Sequence, residues 1–164
     1  YFKRSAAALK KFQPECTSTN LQECTQAQVV NAYDNSIVET DHFLDSVLNW
    51  LSDQSDKAQT AMIYVADHGE SLGENNIYLH GLPYSIAPDV QKHVPWITWL
   101  SPAMQARTHV TTGCLQQDVA QRRVTHDNYF HSVLGLMDVQ TGAYSPALDM
   151  FAGCRQQPNG PLAG

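Results

Sequence analysis

The chain has 164 residues, 43% of them hydrophobic, enough for one domain with a core and too apolar for a disordered segment. Its formal net charge is −6, from 10 Lys+Arg against 16 Asp+Glu, which argues against nucleic acid as the main partner because phosphate neutralisation needs clustered cations. No run approaches the roughly 20 apolar residues that span a bilayer, and no signal peptide is visible.

Lys3, Arg4, Lys10 and Lys11 form the one basic cluster, read as a solvated helix face, with weak contact to anionic lipid headgroups as the alternative. Residues 5–12 are expected to form a short helix, ended by Pro14 and the polar loop between Cys16 and Cys24. Thr25 and Gln28 have the spacing of a capping box, which predicts a long helix from about Gln26 to about Ser52. Val30, Tyr33, Ile37, Leu44, Val47, Leu48 and Leu51 recur at helical spacing and predict its core face. Asp34, Asp41, Asp45 and His42 are read as solvent-facing or structural.

The apolar run at about Thr60 to Ala66 predicts a buried strand, and Val94 to Leu100 a second one, with Trp96 and Trp99 in the core. Gln116 to Arg123 suggests a short polar helix. Thr125, Asp127 or Asn128 would cap a further helix reaching about Met137. His109, His126 and His131 lack acids or cysteines at helpful spacing and are read as surface or packing residues. The stretch from Gly153 to Gly164 is rich in Gly and Pro and is expected to fray. No internal repeat and no interdomain linker is evident. Helix, strand, loop, strand, helix is an α/β pattern.

The chemistry concentrates after the first strand, in Asp67-His68-Gly69-Glu70-Ser71-Leu72-Gly73-Glu74. In open α/β sheets ligands bind beyond the carboxyl ends of strands, where Asp67 and His68 fall. A carboxylate and an imidazole are ordinary Zn²⁺ ligands. Gly69 would permit a positive φ or the close approach of a ligand. Asp67, His68, Glu70, Glu74 and His80 fall within fourteen residues, on a polar loop of the kind that carries function. Asp-His-Gly alone is a weak motif, equally a capped turn; the wider segment gives it weight. Ser71 has no evident activating base and is rejected as a nucleophile.

Four cysteines permit three pairings, and spacing does not decide among them. The simplest is Cys16 with Cys24 and Cys114 with Cys154. No Cys-x-x-Cys pair is present, which favours disulfides over a structural zinc site, and disulfides point to an oxidising compartment.

The run from Asp67 to Asn75, then Tyr78-Leu79-His80-Gly81-Leu82-Pro83 and Ala87-Pro88, resembles the bacterial lipid A phosphoethanolamine transferases of the polymyxin-resistance type, within the alkaline phosphatase/sulfatase superfamily. The similarity extends to Cys16, Cys24, Asn31-Ala32-Tyr33-Asp34-Asn35, Val94-Pro95 and the tail. The resemblance implies a three-layer sandwich around a central mixed, mostly parallel sheet. It implies zinc held by Asp67 and His68, and His80 as a catalytic and substrate-binding residue that contacts the phosphoethanolamine group or a second zinc. The Cys16–Cys24 disulfide is a family feature. By their own chemistry, Glu70 and Glu74 would stand behind the metal ligands, orienting His68 or capping the following turn.

The implied reaction moves phosphoethanolamine from phosphatidylethanolamine to lipid A through a covalent threonine intermediate. The resemblance places that threonine, a zinc-binding glutamate and the membrane helices upstream of Tyr1. Residues 1–164 would then be the C-terminal portion of a periplasmic catalytic domain at the bacterial inner membrane. The protein is expected to be a monomer, and this portion alone inactive. The alternatives are a phosphate or sulfate ester hydrolase of the same superfamily, or a non-catalytic periplasmic module.

Overall fold

The computed structural model describes residues 2–119 and 123–155. The chain divides into two compact units, Tyr1–Gln54 with Ala61–Trp99, and Ser55–Thr60 with Leu100–Gly164.

The first unit is organised by helix α1, Gln26–Asp53. Its start is the expected capping box: the Gln28 N–H donates to Thr25 Oγ1 at 3.3 Å and the Thr25 N–H donates to Gln28 Oε1 at 2.9 Å. The buried positions are Val29, Ala32 and Asn35, one step round from the expected stripe. Val29 and Ala32 pack with Cys16, Cys24 and Leu21, and Leu72 and Tyr78 complete the cluster. Tyr33 and Ile37 border a concavity instead, and Ile37 is 49% exposed.

Asn35 is wholly buried and grips the chain that precedes the helix. Its side chain accepts from the Phe12 N–H at 2.9 Å, and donates to Phe12 O at 2.9 Å and to Glu15 Oε2 at 3.1 Å. These bonds satisfy polar groups that burial would otherwise leave orphaned. The helix expected over residues 5–12 is not formed; only a 3₁₀ turn at Ala7–Leu9 is present, and the backbone at Phe12 is bonded to Asn35 rather than along a helix.

Strand β1, Ala61–Val65, pairs with β4, Trp96–Leu100. The Ala66 N–H donates to Pro95 O at 3.3 Å and the Ser101 N–H to Thr60 O at 3.0 Å, so the pair runs antiparallel. A two-residue pair, β2 (Ser71–Leu72) and β3 (Tyr78–Leu79), is also antiparallel, with Ser71 opposite Leu79 and Leu72 opposite Tyr78. A mixed sheet accommodates such pairs. Trp96 and Trp99 are half-buried rather than core, and of β4 only Leu100 is fully buried. A single turn, α2, spans Asp89–Lys92.

In the second unit, α3 (Pro102–Thr108) starts at Ser101, whose hydroxyl accepts from the Met104 N–H at 3.2 Å, with Pro102 at the first helical position. Helix α4 is Thr112–Val119, earlier than the expected Gln116 to Arg123, of which residues 120–122 lie outside the described residues. Helix α5, Asp127–Leu136, follows as expected, but its N-cap is His126, whose side chain makes no capping bond, and Asn128 Oδ1 instead accepts from the Thr125 N–H at 2.8 Å. His131 Nδ1 accepts from the Ser145 N–H at 3.1 Å, a structural use of that histidine.

Asp149 is fully buried and bonded to Tyr144 Oη at 2.7 Å and Arg155 Nη2 at 2.7 Å. Burial first, then the Asp149 carboxylate beside it, pushes the Tyr144 phenol above its ordinary pKa, so it donates as a neutral group. Both disulfides follow the simplest pairing, Cys16–Cys24 and Cys114–Cys154. Of the Gly/Pro-rich tail, residues 156–164 lie outside the described residues. Among the described residues no helix is long and apolar enough to cross a membrane.

Candidate metal centre

Strand β1 ends at Val65, and the next residues leave the sheet as Ala66-Asp67-His68. The loop is then pinned at Gly69. Its N–H donates to Gln91 O at 3.0 Å, and a Cβ built on Gly69 would lie 1.9 Å from the Val90 carbonyl oxygen. Gly69 is therefore required by close approach, as one of its two expected roles had it, but the group that approaches is the chain's own backbone, not a ligand. Gln91 adds a second tie: its buried side chain donates from Nε2 to Ser71 Oγ at 2.8 Å. Ser71 is fully buried and bonded to an amide, a position with no nucleophilic use.

The loop turns back through Gly73, at φ +116°, and through Asn75 and Asn76, at φ +53° and +59°. Glycine and asparagine are the residues that tolerate this left-handed region. Glu74 serves the turn, with Oε2 accepting from the Leu72 N–H at 2.8 Å. The β2–β3 pairing that results returns the chain towards Asp67, and His80 arrives over His68 with ring centroids 3.6 Å apart, tilted by 30°. Twelve residues of sequence separation thus collapse to ring contact.

The hydrogen bonds fix what each nitrogen can do. His68 Nδ1 lies 3.0 Å from Gly69 O, which only accepts, so Nδ1 carries the proton. His68 Nε2 is then the nitrogen left to bind a metal ion, and it lies 3.7 Å from Asp67 Oδ2. A carboxylate oxygen and an imidazole nitrogen at this distance can share a cation. Zn–N and Zn–O bonds are each about 2.0–2.2 Å, so their sum exceeds that gap and one ion reaches both atoms. The Nδ1–carbonyl bond is the usual way a histidine ligand is oriented from behind. Asp67 is otherwise open to solvent, its side chain 89% exposed, so nothing in the described residues competes for the carboxylate oxygen that faces His68.

Glu70 is turned towards His80 rather than His68. His80 Nδ1 sits 2.8 Å from Glu70 Oε1, and Glu70 Oε2 is buried without a hydrogen-bond partner. An orphaned carboxylate oxygen of this kind suits a cationic group. His68, Glu70 and His80 each offer a donor atom within 4.8 Å of the others, a second way of grouping ligands in the same place. The donor set of Asp67, His68, Glu70 and His80, oxygen and imidazole nitrogen, therefore fits a divalent cation.

Beside these groups lies a concavity whose lining includes Arg4, Tyr33, Tyr64, Asp67, Asp89 and His93. Burial, then the negative field of Glu70, holds the Tyr33 phenol above its ordinary pKa. It therefore stays a neutral hydrogen-bonding group in the concavity at physiological pH.

The family model described as Sulfatase matches residues 1–139. The chain belongs to the sulfatase family. Among similar sulfatase-family proteins, phosphoethanolamine transferase EptA of Salmonella typhimurium is 46% identical over 156 residues, covering 95% of this chain and 28% of that protein. Kdo(2)-lipid A phosphoethanolamine 7''-transferase of Escherichia coli K12 is 39% identical over 101 residues, covering 62% of this chain and 17% of the enzyme.

Lipooligosaccharide phosphoethanolamine transferase A of Neisseria meningitidis has the same fold over 96% of this chain, with a TM-score of 0.91 at 41% identity. The match covers 47% of its soluble domain and 29% of the integral membrane protein. The chain thus has an alkaline phosphatase/sulfatase-like α/β fold and spans about a quarter of the length of its curated EptA relative.

The fold brings Asp67, His68 and His80 together as neighbours; Gln91, which ties the loop through Ser71, sits in an Asp-Val-Gln-Lys turn whose sequence carries no signal of that role.

Proposed function

We propose that this chain forms part of a zinc-dependent transferase that moves phosphoethanolamine from phosphatidylethanolamine to lipid A. The observation that carries the reading is the facing of Asp67 Oδ2 and His68 Nε2 at 3.7 Å, with His80 stacked on His68, in a chain similar along nearly its whole length to phosphoethanolamine transferases. Asp67 and His68 would hold the zinc, and Glu70 and His80 would stand beside it. When bound, the ion would withdraw charge from phosphoryl oxygens and lower the pKa of a coordinated hydroxyl.

The residues of this chain have their own tasks. Gly69 and Gln91 fix the backbone on which Asp67 and His68 sit. Glu70 holds the Nδ1 side of His80, which leaves His80 Nε2 to hydrogen-bond the phosphoryl group or to donate a proton to the leaving alcohol. The attacking group is the threonine implied by the family resemblance, supplied from outside these residues, with a covalent phosphoethanolamine-threonine intermediate. The work would be done at the periplasmic face of the inner membrane, where both lipid substrates are reached, by a monomer anchored by membrane helices outside this chain.

The test is an assay of the full-length protein with phosphatidylethanolamine and lipid A in mixed micelles. Mass spectrometry of lipid A should show added phosphoethanolamine. Release of free phosphoethanolamine without modified lipid A would instead mark a hydrolase.

A further inference from the structure

Arg4 was read from sequence as part of a solvated helix face, but no helix forms there and Arg4 lies on the concavity that holds Asp67 and His68. Three carboxylates, Asp67, Glu70 and Asp89, line the same space, and among the described residues Arg4 is the one lysine or arginine that does. Among the described residues Arg4 has no hydrogen-bond or ion-pair partner, whereas Lys10 and Lys92 are engaged with Glu15 and Asp89. A guanidinium beside an acidic, ligand-sized space with all five donors uncommitted is suited to a planar or tetrahedral oxyanion, which it can take with two parallel N–H bonds.

From this geometry we infer that Arg4 is a substrate-binding residue that holds a phosphate oxygen of the substrate at the entrance to the Asp67–His68 centre. The inference rests on the phosphoethanolamine transferase reading for its substrate class. The need is electrostatic: a phosphodiester approaching Asp67, Glu70 and Asp89 meets three negative groups, and a cation bound between Asp67 and His68 offsets only part of that repulsion. Arg4 supplies a positive charge on the lining of the same space. The Tyr33 phenol, held neutral, lines the same space together with Tyr64. The phosphate belongs either to the phosphatidylethanolamine donor or to lipid A.

The experiment compares wild type, Arg4→Ala and Arg4→Lys in the full-length protein, varying donor and acceptor separately. Arg4→Ala should raise KM about tenfold, the scale of losing one hydrogen bond to a charged group. The change in kcat should be much smaller, and melting temperature and zinc content should be unchanged, because Arg4 is bonded to no other side chain among the described residues. A rise confined to the donor KM assigns the donor phosphodiester, and one confined to the lipid A KM assigns the acceptor phosphate. Arg4→Lys, which keeps the charge and loses the fork, should fall between the two.

Unchanged KM for both substrates in Arg4→Ala would overturn the inference, as would a melting temperature lowered in step with activity. Inorganic phosphate gives a second arm that needs no turnover. It should raise the melting temperature of the wild type and not that of Arg4→Ala. If the wild type turns over neither lipid, the transferase reading fails, and the phosphate arm alone decides Arg4: equal protection of both proteins, or protection of neither, counts against it.

Discussion

The His80 ring lies over that of His68, centroids 3.6 Å apart and planes tilted by 30°, although the sequence separates them by a turn and a two-stranded hairpin. The contact places a second imidazole beside a possible metal ligand while Glu70, at 2.8 Å, fixes its Nδ1. His80→Ala should therefore keep bound zinc but lower kcat/KM by about 10²–10⁴, the range for a positioned proton donor. Metal analysis alongside the lipid A assay checks this. Loss of zinc together with activity would make His80 a required ligand.

Gly69 should tolerate no side chain. A methyl group there would meet the Val90 carbonyl oxygen at 1.9 Å, and backbone on both sides must shift. Gly69→Ala is expected to destabilise by about 1–3 kcal/mol or more, as overpacking does. It should also weaken zinc binding, because Asp67 and His68 precede the displaced residue. Thermal unfolding with and without zinc measures both effects.

The two disulfides should differ in what they contribute. Cys16–Cys24 closes a separation of 8 residues and Cys114–Cys154 one of 40. Loop-closure entropy then gives about 2.5 kcal/mol for the first and about 4 kcal/mol for the second. Cys114→Ser with Cys154→Ser should lower the melting temperature more than Cys16→Ser with Cys24→Ser. The Cys16 pair also anchors the Cys16 N–H to Gln28 O at 2.9 Å, so its loss should loosen the start of α1 as well.

Glu15 should make the first unit acid-sensitive. The hydrogen bond from the Lys10 ammonium holds its carboxyl below the ordinary value of 4.5; burial opposes the shift, and the Asn35 amide adds to it. A lowered folded pKa contributes stability that is fully present above pH 4.5 and is lost as pH falls through the folded value. Glu15→Gln should flatten the stability profile below that pH and leave the profile from neutral to alkaline pH parallel to wild type. Denaturant midpoints across pH 2.5–8, about that range, read the difference. Identical acid limbs in the two proteins would remove Glu15 from the account.

Much of this was legible before the structure because it is local. Thr25 and Gln28 announce the start of α1, and an apolar run ending in Asp67-His68 announces a site at a strand terminus. What escaped is set by tertiary contacts. The face of α1 that is buried is Val29, Ala32 and Asn35, because the neighbours that cover it are a disulfide loop and a hairpin, neither of which has helical periodicity. Asn35 reads as an ordinary polar position until its bonds to the Phe12 backbone are seen.

The β2–β3 hairpin is two residues per strand, too short for any alternating pattern. Helix α3 did have a readable signal, Ser101 followed by Pro102, which the apolar run before it masked. Nothing in the sequence sets Asp149 apart; its burial with Tyr144 and Arg155, which brings both charged groups within about 2–3 Å of the position a Gly135 side chain would take, is a purely three-dimensional fact.

The most direct test of the central claim is zinc content and lipid A transfer in the full-length protein, wild type against Asp67→Ala. The Asp67 carboxylate faces His68 Nε2 at 3.7 Å and is otherwise open to solvent, so its removal should leave the fold intact. The account predicts an unchanged melting profile for the metal-free protein, loss of bound zinc and loss of transfer. A variant that retains zinc and transfers phosphoethanolamine at near wild-type rate would contradict it and remove Asp67 from the metal centre.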